Sequence, residues 1–359
     1  MPKFHALPVS EVRRETDDCV SIAFDVPAEL AKQFEFIPGQ YLTLRQTIDG
    51  EDVRRSYSIC ASPRDGELRV AVKKVAGGVF STYANEDLHA GDVLQVMTPM
   101  GRFKLDADSE ASHTYVFMAA GSGITPVMSM VKTILSDEPH SRALLFYGNR
   151  SSKTIIFKEE LEDLKNKFLG RLAVYHVLSG ESADGGMGGR IDREKLARWA
   201  GRIYDPLAID HFFLCGPGNL IETVRETLKE QGVPDERVHF ELFTTPQMAA
   251  ANAGAPTKEV LDAHRGKQSR VQVTLDGNSH TFSLDYDGLP VLDAALNAGA
   301  DVPYACKGAV CATCKAKVVS GEVSMDMNYS LEPDELANGF VLTCQAHPRS
   351  EEVHIDFDV

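Results

Sequence analysis

The sequence predicts three domains in series: an antiparallel β-barrel, a doubly wound α/β domain and a small acidic β/α module. Three observations predict them. Short β-type runs separated by turn signals fill roughly the first hundred residues, apolar runs alternate with helical patterns from about residue 113, and acids and cysteines concentrate after a small-residue stretch at 246–266. A chain of 359 residues also needs more than one core, at ~100–200 residues per domain.

In the first domain the alternating runs are Tyr41–Leu44, Leu68–Val72 and Val93–Val96, punctuated by Pro38-Gly39, Asp65-Gly66 and Ala90-Gly91. Several short strands spaced by such turns make a barrel or sandwich. The second domain reads as strand Tyr115–Ala120, a helix from Thr125, strand Ala143–Tyr147, a helix near Phe157–Lys167, strand Leu172–Leu178, a helix from Asp192, strand His211–Cys215 and a helix near Asn219–Glu230. Strands alternating with helices imply right-handed crossovers and a parallel sheet. The stretch Met248-Ala-Ala-Ala-Asn-Ala-Gly-Ala-Pro256 is poor in bulky apolar residues and reads as a linker. Beyond it, Val271–Leu275 and Thr281–Leu284 flank the turn Asp276-Gly277-Asn278 as a hairpin, and Val291–Ala298 has helical spacing.

Composition narrows the function. Hydrophobic residues are 43% and charged residues 25%, as in globular proteins. The formal charge of −15 excludes binding of nucleic acid or anionic membrane through a net positive field. Residues 267–359 hold six Lys and Arg against fourteen Asp and Glu, a net of −8. No apolar run approaches the ~18 residues of a membrane span, and Met1-Pro2-Lys3-Phe4-His5 does not resemble a signal peptide. The expected location is the cytosol.

Seven cysteines cannot all pair, and four of them, Cys306, Cys311, Cys314 and Cys344, fall in the last fifth of the chain. The spacing C-x4-C-x2-C with a distant fourth cysteine is that of plant-type [2Fe–2S] ligands. Small residues between them let backbone N–H groups approach the sulfides. A structural zinc site is the competing reading, but its cysteines usually come as two paired knuckles.

Tyr304-Ala-Cys306-Lys-Gly-Ala-Val-Cys311-Ala-Thr-Cys314 and Leu342-Thr-Cys344-Gln345 together resemble the plant-type ferredoxin domain. The resemblance covers residues 267–359 and implies a β-grasp fold with Cys306, Cys311, Cys314 and Cys344 as metal ligands.

A flavin needs an aromatic surface, a hydroxyl near its reactive N5, and an Arg with a helix N-terminus for its phosphates. Arg55-Ser56-Tyr57-Ser58 and Gly77-Gly78-Val79-Phe80-Ser81 offer these. Each piece alone is commonplace, a half-buried tyrosine or a glycine turn. In this order, with Pro38-Gly39-Gln40-Tyr41 and Pro99-Met100-Gly101-Arg102-Phe103, they resemble the ferredoxin–NADP reductase family. That resemblance implies a flavin barrel over 1–108, with Arg55, Ser56, Tyr57, Ser58, Val72, Lys73, Gly77, Gly78, Phe80 and Ser81 on the cofactor. FAD rather than FMN rests on the resemblance alone.

Gly121-Ser122-Gly123-Ile124-Thr125-Pro126 sits at the first strand-to-helix turn of the α/β domain, 109–245, where glycines and a helix N-terminus suit a pyrophosphate. It is not the G-x-G-x-x-G fingerprint, so an ordinary turn remains open. Cys215-Gly216-Pro217 ends a later strand on the same carboxyl edge. In the resembled family this cysteine lies beside the nicotinamide, which gives Cys215 and Ser58 catalytic positions. After the second strand, Asn149-Arg150-Ser151-Ser152-Lys153 brings cations and hydroxyls, with no acid before Glu159, so NADPH is expected over NADH.

The domain order resembles the reductase components of multicomponent oxygenases. A narrower resemblance, carried by Phe4-His5-Ala6-Leu7-Pro8-Val9, Arg54-Arg55-Ser56-Tyr57-Ser58-Ile59-Cys60, Tyr147-Gly148-Asn149-Arg150 and Asn328–Leu336, is to the reductase subunits of aerobic phenylacetate degradation. It implies FAD, NADPH, one [2Fe–2S] cluster and a di-iron oxygenase partner. A Rieske or steroid-ring hydroxylase partner, or a non-enzymatic redox sensor, are the alternatives. Cys19 and Cys60 have no assigned chemistry.

Overall fold

The computed structural model describes residues 3–181, 187–243 and 266–359. The linker expected at 246–266 lies outside the described residues apart from Gly266. Two compact units form, Phe4–Phe243 and the segment from Thr244 to Val359 together with Met1–Lys3.

The first unit begins with strands β1 (Phe4–Thr16), β2 (Cys19–Phe24), β3 (Tyr41–Ile48), β4 (Glu51–Ser58), β5 (Leu68–Lys73) and β6 (Val93–Met97), with helix α1 (Val79–Glu86) between β5 and β6. They form a six-stranded antiparallel sheet in the order β4-β3-β6-β1-β2-β5. The sheet closes through an Ile59–Val70 bridge and the Cys60 N–H donated to Arg69 O at 2.9 Å. Leu7, Ile22, Leu42, Leu44, Val70 and Leu94 fill the barrel and exclude water completely.

The same unit continues with β7 (Thr114–Ala120), α2 (Ile124–Asp137), β8 (Arg142–Asn149), α3 (Lys158–Lys167), β9 (Leu172–Leu178), α4 (Arg193–Trp199), β10 (His211–Gly216), α5 (Gly218–Glu230) and β11 (Val238–Leu242). Its five strands are all parallel, in the order β11-β10-β7-β8-β9. From β7 the chain winds outward through β8 and β9, then returns to place β10 on the other side of β7. The crevice beyond the carboxyl ends of β7 and β10 is therefore the topological switch point, where such sheets bind ligands. Cys19, Cys60, Ala71 and Phe103 of the barrel pack in one core with α2 and the sheet, so the two folds share a buried seam.

The second unit contains β12 (Gln268–Leu275), β13 (Asn278–Asp285), α6 (Val291–Asn297), β14 (Lys315–Ser320), β15 (Val323–Met325), α7 (Pro333–Ala337), β16 (Phe340–Leu342), β17 (Ala346–Pro348) and β18 (Glu352–Asp356). The mixed sheet runs β13-β12-β18-β14-β16, with β12 and β18 parallel. Val291, Leu292 and Ala295 of α6 are buried against it. A mixed sheet wrapped on one helix is the expected β-grasp arrangement.

Candidate functional site

The barrel contributes its β4 edge and the start of α1. Tyr57 is half-buried, with its ring 5.5 Å from that of Phe80. α1 begins at Gly78 with no side-chain cap and no acid in its first turn, so its N–H groups remain free for an anion. A Cβ on Gly78 would come within 2.5 Å of Ser81 Oγ, and that hydroxyl accepts the Val75 N–H at 3.1 Å, bracing the turn. Gly77 has φ +71°, which L side chains rarely adopt. Val72 and Phe80 turn their side chains into the barrel core, leaving only backbone for a cofactor. Lys73 Nζ reaches Asp18 at 3.4 Å, and both line the nucleotide cleft.

That cleft, of about 620 Å³, lies at the switch point and is lined by Gly121, Asn149, Arg150, Ser179, Arg190 and Pro217 among others. β7 passes through the short helical turn Gly121–Gly123 into α2. Gly123 has no room for a side chain, since its Cβ would stand 2.2 Å from Cys215 O. Thr125 Oγ1 donates to Ser122 O at 3.0 Å, fixing the turn. α2, behind Gly123 and carrying Pro126, and α5, behind Pro217, start without a side-chain cap or a first-turn acid. Two uncapped helix N-termini thus face one crevice, which suits a dinucleotide's pyrophosphate.

Asn149 is 7% exposed, and among the described residues neither Oδ1 nor Nδ2 makes a hydrogen bond of ordinary geometry. The neighbouring Tyr147 hydroxyl is committed to Gly121 O at 2.9 Å. An unpaired amide on the cleft wall fits a polar ligand. Arg150 and Arg190 are exposed and have no carboxylate partner among the described residues. The expectation that no acid reaches this strand end needs correction. Glu181, beyond β9, accepts the Ser152 N–H at 3.0 Å and its hydroxyl at 3.2 Å. The acid comes from the neighbouring strand's loop, where counting along β8 could not find it.

At the seam, Cys215 is fully buried and burial raises its thiol well above the ordinary range. β10 pairs in register with β11 so that Cys215 stands opposite Glu241. Glu241 Oε2 lies 3.5 Å from Ser58 Oγ of the barrel. Burial pushes the Glu241 carboxyl up to about 8, while the Ser58 hydrogen bond acts in the other direction. A hydroxyl and a carboxyl able to hold a proton near neutral pH therefore meet where the two folds join, with Cys215 on the neighbouring strand. The structure brings Ser58 and Cys215, both expected from the sequence, to one seam with Glu241, which the sequence reading did not include.

In the second unit, the loop between α6 and β14 carries three cysteines. Lys307, Ala309 and Ala312 have φ of 49°, 62° and 54°. Left-handed residues interleaved along a loop turn successive N–H groups toward one point, an anion-binding nest. Cys306 Sγ accepts N–H groups from Gly308 at 3.3 Å and Cys311 at 3.5 Å. The Cys311 thiol also donates to Cys306, and with these N–H groups it holds Cys306 below its usual range. The Cys314 thiol likewise donates to Cys344 and lowers it. Thr343 Oγ1 donates to Cys314 O at 2.9 Å and keeps the distant cysteine in place. The four cysteines thus stand as two pairs, Cys306 with Cys311, which are partly exposed, and Cys314 with Cys344, which are buried. Among the described residues no three His, Cys, Asp or Glu side chains converge on one ion. One zinc ion would need four donors at a single point. Two thiol pairs suit two irons.

Comparison with known proteins assigns three domain families to the chain. Residues 6–105 match the oxidoreductase FAD-binding domain family, 117–226 the oxidoreductase NAD-binding domain family and 273–349 the 2Fe-2S iron-sulfur cluster binding domain family. Fold and site define a flavin-dependent oxidoreductase with its own iron–sulfur domain, using FAD, a nicotinamide nucleotide and a [2Fe–2S] cluster. More narrowly, the chain belongs to the family of NAD(P)H-dependent reductase components of oxygenases. It is 45% identical to a subunit of the 1,2-phenylacetyl-CoA epoxidase of Escherichia coli (strain K12), over 100% of this chain and 99% of the relative. It is 36% identical to the ferredoxin reductase component of 3-ketosteroid-9-alpha-monooxygenase of Rhodococcus rhodochrous, over 98% of this chain and 96% of that one. The crystal structure of phthalate dioxygenase reductase has the same fold, with TM-score 0.58 and 23% identity, covering 99% of this chain and 98% of that one. No helix among the described residues is long and apolar enough to cross a membrane.

Proposed function

We propose that this chain delivers electrons from NADPH to a di-iron oxygenase, the epoxidase that acts on phenylacetyl-CoA in aerobic phenylacetate degradation. When bound, the FAD supplies a two-electron acceptor that can release electrons singly, and the cluster supplies a one-electron carrier. Arg55 and the start of α1, at Gly77, Gly78 and Ser81, would hold the flavin's phosphates, and Ser56 and Tyr57 its ring. Ser58 and Glu241 would flank the flavin's hydride-accepting position. Gly121, Gly123, Thr125, Pro126, Gly216 and Pro217 would hold the nicotinamide nucleotide's pyrophosphate at the two helix N-termini. Cys215 would wall the nicotinamide. Asn149 and Arg150, with Arg190, would take the adenosine ribose and its 2′-phosphate. Cys306, Cys311, Cys314 and Cys344 would ligate the irons. No residue needs to act as a strong acid or base; the protein positions the groups and tunes their electrostatics.

The carrying observation is the Ser58–Glu241 contact at the seam, with Glu241 in register with Cys215, which is followed by Gly216 on the wall of the nucleotide cleft. The full-length similarity to the epoxidase component supports that partner, and the acidic composition of residues 267–359 suits an oxygenase with a basic docking surface. Turnover with NADPH and either the phenylacetyl-CoA epoxidase oxygenase or a steroid-ring hydroxylase tests it. Product formation coupled to NADPH consumption is expected with the first. Coupling with the second alone would transfer the reading to that partner.

A further inference from the structure

Gln345 follows the last cluster cysteine, and its side chain is 7% exposed. Its Nε2 donates to Lys307 O at 3.2 Å and to Cys344 Sγ at 3.6 Å. The first contact fixes the amide's orientation, because a carbonyl oxygen accepts only from nitrogen. The second N–H of the same group then has the sulfur as its acceptor. The backbone is equally fixed: Gln345 N–H donates to Leu342 O at 2.9 Å and Gln345 O accepts from Asp326 N at 3.0 Å. One side chain therefore ties the loop of Cys306 and Cys311 to the buried Cys314–Cys344 pair, and directs an N–H dipole at that pair.

We infer that Gln345 is a positioning residue that raises the reduction potential of the cluster through the inner ligand, Cys344. This rests on the assignment of the four cysteines as ligands. Electron uptake adds one negative charge to the cluster and its thiolates, and an N–H fixed beside Cys344 stabilises the reduced state more than the oxidised one. Hydrogen bonds to the sulfurs are one of the levers that set such potentials. Cys344 also accepts from the Ala309 backbone N–H. Of these two donors, the Gln345 amide is the one that substitution can remove without altering the ligand loop. A donor to the buried sulfur also makes electron uptake by the cluster easier in energy.

The test is a potentiometric titration of the full-length holoprotein, followed by paramagnetic resonance, for wild type, Gln345→Met and Gln345→Glu. The expected order of midpoint potentials is wild type above Met above Glu, since Met removes the donor and Glu adds negative charge. Iron and sulfide content and flavin bleaching by NADPH should stay at wild-type levels. Equal potentials at full cluster content, or a positive shift in Met, overturn the inference. Should the variants lose the cluster, wild-type protein labelled with 15N in the glutamine side chain decides. A 15N hyperfine coupling in the reduced state supports the inference, and its absence overturns it. A protein that keeps its cluster after Cys344→Ser and Cys311→Ser alike would instead remove the ligand assignment beneath it, and the inference with it.

Discussion

Ser58 Oγ and Glu241 Oε2 lie 3.5 Å apart although 183 positions separate them in the chain. One belongs to the barrel's β4 and the other to β11, the last strand of the parallel sheet. Glu241 also stands in register with Cys215. The site exists only when both folds of the first unit are assembled.

Glu241 gives this unit a pH signature. Its carboxyl is pushed up to about 8 from an ordinary value of 4.5, chiefly by burial. Between those values the unfolded chain has already lost the proton that the folded chain keeps. Stability from this group is therefore present below about 4.5 and is lost as pH rises toward about 8. Glu241→Gln should flatten that decline by on the order of 1–2 kcal/mol, allowing for solvent screening. Urea midpoints at pH 6 and pH 8.5 in the two proteins measure it; parallel declines would contradict the assignment.

Cys311→Ser is expected to abolish reduction of cytochrome c, a one-electron acceptor, while leaving NADPH bleaching of the flavin within about twofold of wild type. Cys311 belongs to the thiol pair of the second unit, whereas the residues proposed for the flavin lie in the first. Stopped-flow absorbance separates the two steps. Equal loss of both in a folded protein would place the cysteine elsewhere in the reaction.

Arg150→Ala should raise KM for NADPH by about tenfold and for NADH by much less, as expected for removal of a charge-assisted phosphate contact of about 1.5 kcal/mol. Glu181→Gln should act in the opposite direction, lowering KM for NADPH, because Glu181 now occupies the Ser152 N–H and hydroxyl. Steady-state kinetics with both nucleotides decides. Equal effects on the two would take Arg150 away from the 2′-phosphate.

Gly123→Ala should destabilise the first unit by about 1–3 kcal/mol, the usual range for overpacking, because the new Cβ would stand 2.2 Å from Cys215 O. It should also weaken nucleotide binding, as the α2 N-terminus would be pushed off the β10 end. Thermal unfolding and NADPH affinity are the readouts. A wild-type Tm would mean that the turn yields freely.

What is legible in the sequence is what is local. The cysteine spacing lies within one loop, and the glycines at 121, 123 and 216 lie at strand ends. The barrel's β1 escapes a reading by pattern because Glu11, Arg13, Arg14 and Glu15 break its apolar alternation. The ion pairs of Arg69 with Glu11 and Glu67 explain how some of that charge is accommodated. Glu241, Glu181 and Arg190 are invisible for another reason: each acts through a neighbour brought in by parallel pairing or by an adjacent loop, and parallel partners are far apart in sequence. Gln345 stands in plain view beside Cys344, but its hydrogen bonds depend on how the Lys307 turn folds back.

The most direct test of the account is an anaerobic titration of the purified protein with NADPH, followed by visible absorption and paramagnetic resonance. The flavin band should bleach, and one paramagnetic [2Fe–2S] cluster per chain should appear as electrons arrive singly. A flavin that bleaches with no signal from the cluster, or a colourless protein carrying stoichiometric zinc, would contradict it.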